Sequence, residues 1–284
     1  MSRKKHACGA IHFAFILPSL SGVVLFVLWP FAGAVMRSFQ DTMGEVYVGF
    51  TNYMLVFENG AMRLAAGNTL RFIAVCIPLQ LILSLFLAMM IRNAGRWEWL
   101  FSATFLIPMA IPVSSVAMLW RVIFAQQGFL NVLIVRLGGV PQNWLNSGLT
   151  YWVLVASYLW RNVGFDMVLW RAALTGLDPA LSEAAQVDGA NAWKRFLYVI
   201  FPALLPALFT ITVLSLLNSF KVFREAYLIA GNYPHSDIYM LQHLFNNWFT
   251  SLDMQKLTAA AVLVALVILA LITALQKLWE KDDS

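Results

Sequence analysis

The sequence predicts an all-α integral membrane protein with six transmembrane helices. Of its 284 residues, 61% are hydrophobic and only 12% are charged, whereas soluble proteins carry roughly 25% charged residues. Five stretches contain no Asp, Glu, Lys or Arg, and each reaches the ~20 residues that a helix needs to cross a bilayer core. They are residues 13–36, 72–91, 99–120, 196–220 and 257–276.

A sixth apolar stretch, at about 150–172, completes the set although it contains Arg161 and Asp166. A soluble helical core does not fit, because interfacial helices of soluble proteins normally carry a polar stripe. We therefore expect one membrane domain, residues 1–284. Its spans are predicted at about 11–36, 69–92, 99–123, 150–173, 198–220 and 256–277.

The first span follows the basic residues Arg3, Lys4 and Lys5. A cleavable signal peptide would show a similar basic start, but its apolar core is shorter than the uncharged run at 13–36. We therefore expect the first helix to stay in the mature protein. The third and fifth spans each hold a proline pair, Pro108/Pro112 and Pro202/Pro206, and each pair predicts a kink.

The distribution of Lys and Arg favours a cytoplasmic N-terminus. With that orientation ten basic residues lie inside, although the inner loops are shorter in total than the outer ones, and eight lie outside. Both termini and the loop at 178–198 are then cytoplasmic. The inner residues are Arg3, Lys4, Lys5, Arg92, Arg96, Arg171, Lys194, Arg195, Lys277 and Lys281, and the outer ones are Arg37, Arg63, Arg71, Arg121, Arg136, Lys221, Arg224 and Lys256.

The polar loop at 178–198 predicts two short helices joined by a turn. Asp178-Pro179 is typical of a helix start, since the carboxylate caps free N–H groups and proline suits the first turn. Asp188-Gly189 ends that helix, because glycine tolerates the left-handed conformation of a helix end. Asn191 then caps a second helical segment that runs into the apolar stretch around Pro202.

Within this loop the sequence EAAQVDGANAWKRFLYVIFP (183–202) resembles the EAA loop of binding-protein-dependent ABC importer permeases. Val199 and Phe201 stand where that family more often has Ile and Leu, and the details around Gly189 and Trp193 are similar to its carbohydrate branch, which includes maltose-, lactose- and glycerol-phosphate-like permeases. Further stretches at 48–57, 68–72, 118–131 and 219–231 extend the resemblance over nearly the whole chain. The residues that match the family's ATPase-coupling motif are Glu183, Ala184, Ala185, Asp188, Gly189 and Pro202.

The resemblance implies a type I ABC importer permease in the inner membrane of a bacterium or archaeon, with a sugar or sugar-like solute. It implies a second permease chain, two ABC ATPase subunits and an extracytoplasmic solute-binding protein as partners, besides membrane lipid. Glu183 and Asp188 would hold the loop in the ATPase by polar contacts, and Ala184 and Ala185 by close fit. ATP and Mg²⁺ would be bound by the ATPase and not by this chain.

The sequence contains no G-x-x-x-x-G-K-[ST] phosphate loop, so the chain is not expected to hydrolyse ATP itself. Its two cysteines and four histidines are scattered, which predicts neither a disulfide framework nor a metal site. The net charge of +5 follows from the loop pattern and does not indicate nucleic-acid binding. We expect a transport subunit and not an enzyme.

Charged residues in the fourth span leave a second interpretation open. A proton- or sodium-coupled carrier would use a carboxylate such as Asp166, since charge within a span is costly and usually paired or functional. However, Arg161, Asp166 and Arg171 lie five residues apart, so successive members point about 140° apart on a helix. They are then more simply explained by pairing with other helices or lining a cavity, with Arg171 reaching the cytoplasmic surface. A membrane scaffold without transport activity is a third interpretation.

The solute pathway is predicted to involve the fourth and fifth spans. Asn218 could bind a sugar hydroxyl, and Ser215 shares a helix face with both Asn218 and Ser219. Small polar residues at these positions also suit helix packing. The candidate pathway residues are Arg161, Asp166, Ser215, Asn218 and Ser219.

Overall fold

The computed structural model describes residues 16–92, 95–231 and 234–282, and within these ranges the chain is helical with no β-strand. The described residues divide into two compact units. The first unit holds the residues up to Met62 together with Phe245–Ala270, and the second holds Arg63–Leu244 and the end of the last helix from Leu271. All candidate site residues lie in the second unit.

The helices are numbered here in chain order. They are α1 (Ile16–Arg37), α2 (Thr51–Glu58), α3 (Gly60–Arg92), α4 (Glu98–Ala110), α5 (Val113–Ile123), α6 (Phe129–Arg136), α7 (Leu149–Thr175), α8 (Pro179–Val187), α9 (Ala192–Arg195), α10 (Phe201–Ala203), α11 (Leu205–Ser219), α12 (Phe223–Ala230), α13 (Leu241–Thr250) and α14 (Met254–Asp282). A π-helical turn, Phe196–Ile200, joins α9 to α10, so this path stays helical from the polar loop into the apolar stretch.

In the first unit, a polar side chain fixes the loop that follows α1. The Asn52 amide of α2 donates to the carbonyl oxygens of Ser38 (2.9 Å) and Gln40 (2.7 Å). The hydroxyls of Ser38 and Tyr53 are also hydrogen-bonded at 2.7 Å. These bonds satisfy backbone carbonyls of the loop just beyond the end of α1.

Helix α7 is the central helix of the second unit. Its first half places Tyr151, Leu154 and Tyr158 in one hydrophobic cluster, and its second half places Met167 and Trp170 in another. Because it is largely surrounded by protein, α7 can carry charged side chains that would be costly against lipid.

Helices α4 and α7 approach each other most closely at Gly164. A Cβ atom on Gly164 would lie only 1.9 Å from the backbone oxygen of Phe105. Small residues allow such close backbone approach between membrane helices. The absence of a side chain at this position therefore sets the distance between the two helices.

The predicted third span, 99–123, is not one helix. It is divided into α4 and α5, whose axes differ by 91°. Ile111 and Pro112 are extended, with ψ angles of 134° and 137°. Proline disfavours helical conformation in the residue before it and lacks a backbone N–H, so Pro112 ends α4. The kink predicted from the proline pair is present. It is sharp enough to divide the predicted span into two separate helices.

Four helices within the described ranges are long and apolar enough to cross a membrane: Ile16–Arg37, Gly60–Arg92, Leu205–Ile229 and Met254–Lys277. The bent pair α4 and α5 would be a fifth if it forms one span. Helix α7 is long enough, with 27 residues, but less apolar because it carries Arg161, Asp166 and Arg171. The all-α membrane fold is confirmed, whereas the count of six spans stays a prediction.

Two boundaries differ from the sequence prediction. The second predicted span begins at 69, but α3 begins at Gly60, about nine residues or two and a half turns earlier. The fifth was predicted to end at 220, but the helical path continues through α12 to Ile229. The uncharged stretch ends at residue 220, but the helix continues, and the charged Glu225 within it pairs with Arg161 inside the protein. The predicted start of the first span at residue 11 lies outside the described residues.

Candidate functional site

The polar loop forms an exposed knob, which we define as residues 178–198. Asp178 caps α8, since its carboxylate accepts a hydrogen bond from the Ala180 N–H at 2.9 Å, and Pro179 occupies the first helical position. Asn191 caps α9 by accepting from the Lys194 N–H at 2.8 Å. Both caps predicted from the sequence are present.

Gly189 ends α8 in a left-handed conformation, with φ +81°. The Ala190 N–H donates to the Ala185 carbonyl at 3.0 Å, and the Gly189 N–H donates to the Gln186 carbonyl at 3.1 Å. This pair of bonds is a Schellman motif, which satisfies carbonyls at the helix end. The turn therefore directs the chain from α8 into α9.

One side-chain bond joins the two halves of the knob. The Arg195 guanidinium donates to the Gln186 side-chain oxygen at 3.0 Å. The motif residues Glu183, Ala184, Asp188 and Gly189 are exposed, and Ala185 is partly buried. Pro202, one helical segment further on, is also exposed within α10.

The knob also presents apolar side chains to its surroundings. Val187 is 88% exposed and Trp193 68%, and Leu181 and Tyr198 are similarly open. Several large apolar side chains exposed among charged residues on one short segment are typical of a contact site for another protein. The knob has the composition of a docking surface.

A polar cavity of about 130 Å³ lies beside the break between α4 and α5. Two arginines, two asparagines and one glutamate face it, together with one tyrosine and three apolar residues. The lining residues are Met109, Val113, Tyr158, Arg161, Asn162, Asn218, Val222, Arg224 and Glu225. The cavity thus combines hydrogen-bond donors and acceptors with a small apolar surface.

Arg161 links three parts of this cavity wall. Its Nη1 donates to the carbonyl oxygen of Ile111 at 3.2 Å, and its Nε lies 3.5 Å from Glu225 Oε1. The Ile111 carbonyl is one that the helix break leaves without an intrahelical partner. Arg161 therefore stabilises the bend and pairs with α12 at the same time.

We expect the Arg161–Glu225 pair to contribute measurably to stability. The two side chains are only 15% and 6% exposed, so Glu225→Gln leaves a buried guanidinium without its counter-charge. We expect that change to lower the free energy of unfolding by at least about 2 kcal/mol. The measurement is thermal unfolding in detergent, with the double variant Arg161→Gln/Glu225→Gln completing the cycle.

Arg224→Gln is the matched control, because Arg224 is exposed at the same cavity and forms no ion pair within 4 Å among the described residues. If Glu225→Gln and Arg224→Gln shift the unfolding temperature equally, the ion pair does not stabilise the bend. Additivity of the two single changes in the cycle would lead to the same conclusion.

Asp166 lies away from the cavity lining, in a buried hydrogen-bonded cluster. Its Oδ2 accepts from the Gln80 side-chain amide and from the Ser215 hydroxyl, each at 2.7 Å. Asp166 is 0% exposed, so α3, α7 and α11 meet at this carboxyl group. The residue joins three helices.

Arg171 and Ser219 have hydrogen-bond partners of their own, separate from those of Asp166. Arg171 pairs with Glu98 and hydrogen-bonds to Ser102, both of α4, while its position at the cytoplasmic surface stays a prediction. Ser219 is buried and donates to the Leu216 carbonyl of its own helix at 2.6 Å. Of the five candidate pathway residues, only Arg161 and Asn218 line the cavity, while Asp166 and Ser215 contact each other.

Sequence reasoning missed several residues of this region. Gln80 stands in an uncharged stretch, where a buried amide signals a polar partner on another helix. Glu225 was placed in a loop, although its position two turns beyond Asn218 on a continuing helix would have put it at the same cavity. Gly164 carried no local signal, since its role depends on a backbone that is 59 residues away.

The comparisons with known proteins agree on one family. Residues 80–282 match the family described as the inner membrane component of binding-protein-dependent transport systems. The chain is 27% identical over 277 residues to the sn-glycerol-3-phosphate transport system permease protein UgpA of Yersinia pestis, covering 95% of this chain and 94% of that protein. It is 29% identical over 273 residues to the arabinooligosaccharides transport system permease protein AraP of Bacillus subtilis, covering 92% and 85%.

A solved structure shows the same fold. The chain superimposes on a bacterial ABC transporter involved in the import of the acidic polysaccharide alginate with a TM-score of 0.82, at 20% identity and with 98% of each chain covered. Together with the match over 80–282, this confirms the resemblance found in the sequence. The chain therefore belongs to the inner membrane components of binding-protein-dependent transport systems, as a permease subunit of an ABC importer and not an enzyme.

Proposed function

We propose that this chain forms half of the translocation pathway of an importer for a sugar or sugar-like solute, and that the knob couples it to a separate ATPase. The exposed, doubly capped helix pair at 178–198 carries the proposal. Its two caps and its Schellman turn rigidify a segment that makes few contacts of its own. A rigid projection with exposed apolar side chains suits insertion into a groove on a partner.

The knob would transmit force between the two proteins. α9 continues through Phe196–Ile200 and α10 into α11 without leaving the helical path. A displacement of the knob would therefore be passed to α11, which contains Ser215 and Asn218. In this mechanism, closure of the ATPase dimer on ATP moves the knob and opens the pathway outward, and hydrolysis resets it.

The partners follow from that arrangement. We infer a second permease chain, two ABC ATPase subunits that bind ATP and Mg²⁺, an extracytoplasmic binding protein that delivers the solute, and the surrounding lipid. No cofactor would be bound by this chain. Both termini and the knob would lie in the cytoplasm, as the Lys and Arg distribution favours.

The nature of the solute is supported by the cavity and by the relatives. UgpA and AraP are named for transport of glycerol phosphate and arabinooligosaccharides, both rich in hydroxyl groups. The cavity offers the amides of Asn162 and Asn218 and the charged groups of Arg161 and Glu225. The amides both donate and accept hydrogen bonds, the Arg161 guanidinium donates and the Glu225 carboxylate accepts, so the set can bind the hydroxyl groups of a polyhydroxylated solute.

Asp166 and Ser215 would act in support of the pathway by fixing α7 against α11. The alternative of a gradient-driven carrier that uses Asp166 is not favoured, because the family depends on a binding protein. In the same way a scaffold without transport activity has no feature of the described structure in its favour.

The experiment is uptake into proteoliposomes that contain the full importer, co-expressed from the neighbouring genes. ATP and Mg²⁺ are enclosed, and the binding protein is added outside with one labelled solute from a panel of sugars and glycerol phosphate, with an amino acid as control. We expect uptake of a hydroxyl-rich solute that requires both ATP and the binding protein and that survives Asp166→Asn. Uptake by this chain alone, driven by an ion gradient and lost in Asp166→Asn, would overturn the proposal.

A further inference from the structure

An apolar groove of about 240 Å³ lies between α3, α7 and the helical path from α10 to α11. Its walls are formed by Pro78, Leu81, Leu85, Trp170, Phe201 and Leu208, with Ile82 at its edge. Leu81, Leu85, Phe201 and Leu208 are only partly buried, while Trp170 at the base is fully buried. The groove is therefore an open furrow at the surface of the second unit.

One exposed arginine, Arg92, lies at the end of α3, beyond the furrow. On α3, Pro78, Leu81, Leu85 and Arg92 are separated by three, four and seven residues, which places all four on one face of the helix. Arg92 lines a small pocket with Leu177, Ile200 and Ala203 at the base of the knob. Leu177 and Ile200 also pack in the same hydrophobic cluster as Leu81, Leu85 and Trp170, so the pocket and the furrow adjoin one cluster.

The dimensions fit one membrane leaflet. Leu85 lies about 10 Å from Arg92 along the helix axis and Leu81 about 16 Å, from the rise of 1.5 Å per residue. Half of a bilayer core is about 15 Å thick. With Arg92 at the headgroup level, the furrow lies at the depth of the acyl chains on the side of the knob.

We propose that this furrow binds an anionic phospholipid, with its acyl chain along Leu81, Leu85, Phe201 and Leu208 and its phosphate at Arg92. An acyl chain matches the apolar lining, and basic pockets between membrane helices on the cytoplasmic side suit anionic headgroups. Asp178 also lines the small pocket, but one of its oxygens is engaged in capping α8. The bound lipid would lie against both α3 and the path from the knob to α11, and so would stabilise one position of the knob.

The test uses the full importer in phosphatidylcholine nanodiscs that contain a small fraction of phosphatidylglycerol with a photoreactive acyl chain. We expect labelling on peptides that contain Leu85 or Leu208. Arg92→Gln is expected to reduce it about fivefold, as loss of one basic contact to an anionic lipid predicts. Leu85→Trp, which fills the furrow, should abolish labelling at these peptides.

The matched controls are Arg96→Gln, an exposed arginine near the same helix end, and Phe86→Trp, an exposed aromatic on another face of α3. Both should leave labelling unchanged. The proposal is wrong if photoreactive phosphatidylcholine labels the same peptides as strongly, or if Arg92→Gln has no effect. It is also wrong if these peptides are not labelled in the assembled importer, since a partner protein then covers the furrow.

Discussion

Replacement of Gly189 by valine is expected to lower ATP-dependent uptake at least about tenfold, while the chain itself remains folded. Gly189 has φ +81°, a conformation that costs most residues roughly 1–2 kcal/mol and a β-branched residue more. In the variant the Schellman turn is strained, and the direction of α9 relative to α8 changes. Because the knob is exposed and makes few contacts with the rest of the chain, the loss should appear in coupling and not in stability.

The space around Gly189 makes this experiment interpretable. A Cβ atom at this position would meet no atom of the described structure within 4 Å. Gly189→Val therefore tests backbone conformation, since its Cβ atom would stand in open space. Gly189→Asn is the control, since asparagine tolerates the left-handed region and should retain most of the uptake.

Co-purification of the ATPase and ATP-dependent uptake should be measured together for wild type, Gly189→Val, Gly189→Asn and Glu183→Lys. Glu183→Lys reverses an exposed charge of the motif without touching the turn. If Gly189→Val retains the ATPase and transports as wild type does, the knob is not the coupling element. Equal losses in Gly189→Val and Gly189→Asn would instead point to a direct contact that requires a bare glycine surface.

Replacement of Gly164 by leucine is expected to prevent accumulation of folded protein. The Cβ atom would lie 1.9 Å from the Phe105 oxygen and 2.5 Å from its carbonyl carbon, so α4 and α7 must separate. Overpacking of a core usually costs about 1–3 kcal/mol. A clash with backbone cannot relax by side-chain rotation, so we expect more than about 4 kcal/mol, a large part of a typical folding free energy.

The effect can be separated from a general intolerance of glycine replacement in α7. Gly176 caps the end of the same helix, and a Cβ there would make only ordinary contacts at 3.5 and 3.6 Å. Gly176→Ala should therefore unfold near the wild-type temperature in detergent, whereas Gly164→Ala should unfold clearly lower. Since the obstacle is the backbone of Phe105, adding Phe105→Ala should not rescue Gly164→Leu, and a rescue would show that side chains set the helix distance.

The sequence was sufficient for everything that depends on local chemistry. Asp178, Asn191 and Gly189 each act through backbone groups within four residues, so the caps and the turn of the knob follow from residue type and spacing alone. The membrane class follows from uncharged stretches longer than a bilayer core is thick. The family could be found because the EAA motif is itself a short linear pattern.

Long-range pairing was outside the reach of sequence reasoning. Nothing within a few residues of Asp166 indicates that Gln80, 86 residues earlier, and Ser215, 49 residues later, donate to its carboxylate. Glu225 likewise lies beyond the predicted span 198–220, but it continues the helical path, and Arg161 compensates its charge inside the protein. A buried charge is tolerated only through its partner, and partners are chosen by the packing of helices.

The sequence by itself thus determined the helical membrane fold, the knob and the family, because long uncharged stretches, helix caps and a motif with fixed spacing are all local properties. Only the tertiary structure decided that Pro112 produces a 91° bend, that Arg161 and Asn218 face a common cavity, and that Asp166, Ser215 and Ser219 do not. The reason is physical. A proline restricts its own conformation and that of the residue before it. The angle of the bend, and which side chains line the space beside it, depend on how α4, α7 and α12 pack against one another.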